Sequence, residues 1–70
     1  METKAYWVPG MHCGHCVAAV RRELEAVTGV DRVIVDLETK VVTVQGERLD
    51  DVTLVTAIDE AGYEAETVAA

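Results

Sequence analysis

The chain has 70 residues, half of them hydrophobic, with thirteen acidic side chains against six basic ones and a formal charge of −7. That length supports one two-layer core, so residues 1–70 are read as a single domain. The acidity argues against nucleic acid and anionic membrane, and no run reaches the ~18 apolar residues of a membrane span.

The start, Met1-Glu2-Thr3-Lys4, is polar and leads into no apolar signal stretch, so the expected compartment is the cytoplasm. Two cysteines are too few for the disulfide framework of a small secreted scaffold, and reduced thiols are expected. The acidic surface reads as a solvated face; the sharper reading is a partner with a basic docking face.

Residues 3–8 alternate as a first strand, with Tyr6 and Val8 on one face and Trp7 on the other. Pro9-Gly10 ends it. From Gly14 to Thr28 the period changes. Val17, Val20, Leu24 and Val27 recur at steps of three and four, with Arg21, Arg22, Glu23 and Glu25 opposite, which predicts an amphipathic helix stopped by Gly29.

Val30 to Leu37 alternates again, with Val33, Val35 and Leu37 inward, and Lys40 to Gln45 gives a third strand with Val42 and Val44 inward. Glu38 and Thr39 alone separate them, predicting an antiparallel hairpin without the usual Asn-Gly turn. Asp50-Asp51 opens a second helix to about Ala61, with Leu54, Val55 and Ile58 apolar, and Gly62 stops it. Tyr63 to Val68 is the last strand.

The order β-α-β-β-α-β predicts an α+β, ferredoxin-like fold: a four-stranded antiparallel sheet with two helices on one face.

Both cysteines and both histidines fall within Met11-His12-Cys13-Gly14-His15-Cys16. In this topology Cys13 lies in the loop after the first strand and Cys16 in the first turn of the helix. Unpaired N–H groups and the positive end of the helix dipole favour thiolate there, the form that binds metal or attacks a disulfide. Two convergent soft thiolates suit Cu(I) well and Zn(II) less selectively. Four donors within five residues can hardly all reach one ion, and zinc fingers spread theirs over two elements. His12 and His15 are therefore expected to face solvent or to stand behind the sulfurs. The alternative makes them accessory ligands when two molecules share a metal.

Gly10-Met11-His12-Cys13-Gly14-His15-Cys16 resembles the G-M-x-C-x-x-C motif of the heavy-metal-associated domains. These are the soluble copper chaperones and the amino-terminal metal-binding domains of copper-transporting P-type ATPases. The resemblance spans essentially the whole chain and includes Gly29-Val30 and Ala61-Gly62-Tyr63. It implies Cu(I) held by Cys13 and Cys16 and passed by thiolate exchange to a partner, either a copper-transporting ATPase domain or a copper-responsive regulator. It implies Met11 packed inward as support, and Tyr63 as the tyrosine found near the site in bacterial copper chaperones, either closing the end of the sheet or shielding the loop. Zinc- and cadmium-transporting relatives often carry an acidic residue directly before the first cysteine; His12 stands there instead, which places the chain nearer the copper branch.

The expected protein is thus a cytoplasmic copper carrier rather than an enzyme, monomeric without metal, with a metal-bridged dimer as the loaded alternative. Rival readings are a carrier for mercury, zinc or cadmium on the same scaffold, and an excised ATPase domain. Met1 and the end at Ala70 favour a free-standing protein over the latter. A thiol–disulfide oxidoreductase is a remote alternative, because the flanking elements are in the wrong order for a thioredoxin-like fold.

Overall fold

The computed structural model describes residues 2–12 and 14–68. In chain order they form β1 (Glu2–Trp7), α1 (Gly14–Glu25), β2 (Val30–Asp36), β3 (Val41–Gly46), α2 (Asp51–Glu60) and β4 (Glu66–Thr67). The described strands make a four-stranded antiparallel sheet in the order β2-β3-β1-β4. Each helix thus links strands that have a third strand between them, which is the ferredoxin-like split β-α-β arrangement.

Alternation along the strands decides which face is covered. Tyr6 and Val8, Val33, and Val42 and Val44 are all buried on one face. Val20 and Leu24 of α1 and Leu54, Ala57 and Ile58 of α2 close over them in one apolar cluster. Each fully buried aliphatic side chain contributes roughly 1.5–3 kcal/mol against the entropy of ordering the chain. On the opposite face Trp7 (43% exposed) and Ile34 (44%) meet solvent.

Several boundaries differ from the sequence expectation. α1 ends at Glu25 rather than near Thr28, although Val27 still packs against the core. The β2–β3 turn takes four residues, Leu37 to Lys40, instead of two. Asp36 draws the chain into it, its Oδ1 accepting from the backbone N–H of Glu38 (2.9 Å) and Thr39 (3.4 Å), and Lys40 closes it at φ 64°. Leu37, expected inward, is consequently exposed in the turn. β4 shrinks to two residues paired with Tyr6 and Trp7.

Two further ties fix the start of α2. Asp50 caps its start by accepting from the Val52 N–H at 3.2 Å. The Glu2 carboxylate accepts from the backbone N–H groups of Arg48 and Leu49, both at 3.1 Å, stitching β1 to the approach of that helix. Arg21, expected to be merely solvated, donates to the Val33 carbonyl at 3.1 Å and pairs with Glu25 at 3.8 Å.

Candidate metal centre

The candidate loop leaves β1 after Trp7. Val8 is still a core residue, and its N–H donates 2.8 Å to the Lys40 carbonyl. Pro9 and Gly10 then turn the chain, closed by the Met11 N–H donating to the Val8 carbonyl at 3.3 Å. The turn drives the Met11 side chain inward, where it is fully buried in the core cluster. A flexible thioether suits such a gap under a loop. Met11 thus lies inward, beneath the loop.

His12 is exposed, and Cys13 lies outside the described residues. α1 begins at Gly14, with His15 exposed and Cys16 half-buried against the core. Among the described residues, no three His, Cys, Asp or Glu side chains converge into a metal-sized cluster, so His12, His15 and Cys16 do not form one.

The electrostatics of the two helix starts differ. α2 carries Asp51 in its first turn, behind the Asp50 cap; the first turn of α1 holds no carboxylate. The start of α1 thus presents the positive end of its dipole with no acidic side chain over it.

Tyr63 reaches the same end of the molecule by the way α2 terminates. Gly62 adopts φ +98°; its N–H donates to the Asp59 carbonyl at 2.9 Å, and the Tyr63 N–H to the Ile58 carbonyl at 3.2 Å. This is the Schellman pattern, which a left-handed glycine completes at little cost. It lays the half-buried Tyr63 ring beside Gly10, where an added Cβ would sit 3.2 Å from the ring carbon Cδ1. A cleft lined by Trp7, Pro9, Val55 and Tyr63, with Asp59 and Glu64 in its lining, opens beside the loop.

One contributor was not foreseen from sequence. The Lys40 ammonium donates to the Met11 carbonyl, while its own carbonyl holds Val8. The hairpin turn is therefore bonded to the loop from both its backbone and its side chain. The two partners lie 29 residues apart, and nothing in the local sequence marks the contact.

A sulfur-bearing loop seated on a buried methionine, at a strand-to-helix junction of a ferredoxin-like sheet, defines a class of small metal-site domains. Residues 5–64 match the heavy-metal-associated domain, and the chain belongs to that family. It is 36% identical over 63 residues to the copper chaperone CopZ of Enterococcus hirae, covering 87% of this chain and 91% of that protein. It is 37% identical over 59 residues to heavy metal-associated isoprenylated plant protein 31 of Arabidopsis thaliana, covering 84% of this chain but 42% of the plant protein. The crystal structure of a copper binding domain from HMA7, a P-type ATPase, superposes with a TM-score of 0.92 at 30% identity, covering 99% of this chain and 96% of that one.

Proposed function

We propose that residues 1–70 act as one carrier domain that holds Cu(I) between Cys13 and Cys16 and passes it on without catalytic turnover. The observation that carries this reading is the junction itself. Met11 is fully buried beneath the loop, while Cys16 opens α1 at a helix start that no carboxylate occupies. Two thiolates satisfy a soft monovalent ion with low coordination number, and Cu(I) is the first-row ion that best fits such donors.

A two-coordinate ion on a surface loop leaves room for an incoming thiolate. A partner's cysteine attacks the metal, a three-sulfur intermediate forms, and one of Cys13 or Cys16 leaves; repeating the step completes transfer without releasing free ion. Likeness to CopZ over most of both chains supports the carrier role, and likeness to a P-type ATPase copper domain supports an ATPase of that kind as the receiver. A copper-responsive regulator is a second receiver. That second likeness equally suits a chain that is itself an ATPase segment. The setting proposed is the cytoplasm, consistent with the absence of any helix among the described residues long and apolar enough to cross a membrane. In this reading the apo chain is a monomer, and a shared metal can bridge two copies.

Cu(I) titration against a strong competing chelator tests it. One equivalent should bind per chain, and both Cys13→Ser and Cys16→Ser should abolish it. Micromolar or weaker binding, unchanged by Cys13→Ser, would rule the reading out. Equal-concentration competition with Hg(II), Zn(II) and Cd(II) separates copper from the rival cargoes.

A further inference from the structure

We infer that Lys40 is a positioning and selectivity residue of the metal loop, tilting it toward a monovalent ion through its ammonium on the Met11 carbonyl. The inference rests on the reading that Cys13 and Cys16 are the ligands. Its own basis is the contact between Lys40 and the loop, two residues before Cys13.

Three observations fix Lys40 there. Its backbone adopts φ 64°, a left-handed conformation set by the four-residue turn. Its carbonyl accepts the Val8 N–H at 2.8 Å, tying the turn to the strand that feeds the loop. The Asp36 carboxylate, which leads the chain into the turn, is engaged by the Glu38 and Thr39 amides. Half-buried Lys40 thus reaches the loop through its ammonium on the Met11 carbonyl.

Two other cations, Lys4 and Arg21, have side-chain partners elsewhere. Lys4 pairs with Asp51 at the opposite end of α2 from Tyr63, at 3.7 Å. Arg21 bonds the Val33 carbonyl and Glu25. Arg48 lies at the turn held by Glu2, before α2.

The consequence follows from charge counting. Cu(I) bound by two thiolates leaves a complex of charge −1, whereas Hg(II) bound by the same two thiolates is neutral. A fixed positive charge nearby stabilises the first and is nearly indifferent to the second. Both complexes start from the same metal-free protein. The ratio of the two affinities therefore isolates the charge of the loaded state, and a purely mechanical role for Lys40 cannot move it.

The experiment measures Cu(I) and Hg(II) affinity by chelator competition on the wild-type chain, Lys40→Met and Lys40→Arg, with thermal melts of the metal-free proteins alongside. Lys40→Met should lower the ratio of Cu(I) to Hg(II) affinity about five-fold, and that change should shrink at high salt. Lys40→Arg should keep the wild-type ratio. Equal losses for both ions would reduce Lys40 to a structural tether and overturn the inference, as would no loss for either. A wild-type chain that binds neither ion through its cysteines would instead mark failure of the carrier reading.

Discussion

Tyr6 and Asp51 stand 45 residues apart and meet in a 2.7 Å hydrogen bond, the Tyr6 hydroxyl donating to Asp51 Oδ1. The ring is buried between β1 and the helices, and only its hydroxyl reaches the first turn of α2, where Lys4 approaches the same carboxylate oxygen at 3.7 Å. The bond fixes α2 over the sheet at the end away from the metal loop.

Tyr6→Phe keeps the packed ring and removes this bond. Asp51 is half exposed and can rehydrate, so the cost should be about 1 kcal/mol in urea unfolding. A cost near zero would mean the bond does nothing for stability.

The same pair predicts an alkaline weakness. Burial first, then the bond to Asp51 and the charges of Asp51 and Asp50, holds the Tyr6 hydroxyl well above its ordinary value of 10.0. The unfolded chain gives up that proton first, so the contribution is intact below pH ~10 and declines as pH rises beyond it. Tyr6→Phe lacks this decline. Melting temperatures of the two proteins should differ at pH 7 and converge above pH ~10; a gap that widens with alkali would contradict the assignment.

Gly46 faces the Gly29 carbonyl so closely that an added Cβ would sit 2.0 Å from that oxygen. The contact holds the start of β2 against the end of β3, where the ladder also carries an irregularity between Val30 and Arg32. Gly46→Ala must push two backbones apart and should cost at least about 2 kcal/mol. Denaturant midpoints would check it.

Met11 separates support from ligation. Met11→Leu replaces one buried apolar side chain by another of similar volume and should cost less than ~1.5 kcal/mol, with Cu(I) affinity nearly kept. Met11→Ala should cost about 2–5 kcal/mol. Loss of Cu(I) on Met11→Leu as deep as on Cys16→Ser would make the thioether a ligand instead.

His12 and His15 are both exposed. The double His→Ala variant should lose less than the ~10-fold that removal of a supporting partner typically brings. A loss matching that of Cys16→Ser would restore the histidines as ligands, and chelator competition reads it directly.

The fold was legible because period and punctuation agree along this chain. Tyr6/Val8, Val42/Val44 and Val20/Leu24 declare their buried faces, and Gly62 marks the end of α2. The candidate site could be proposed from sequence because its possible donors are contiguous there. What escaped was set by side-chain bonds within the turn and by contacts between distant segments. Asp36 lengthens the hairpin by bonding two amides of the turn, α1 stops before Val27 loses its apolar neighbours, and β4 is limited to the stretch that meets Tyr6 and Trp7. The Lys40 contact depends on a turn geometry that Leu37-Glu38-Thr39-Lys40 does not announce.

The outer strands carry a consequence for encounters between domains of this kind. β4 offers two residues of ladder, and β2 carries its irregularity beside the exposed charges of Asp31 and Arg32. Neither border is a good template for another chain's strand. Two such molecules that touch at their metal loops can therefore separate without unzipping a common sheet. A courier of the kind proposed would gain from that: the meeting could be brief, with the cargo the one bond that has to change hands.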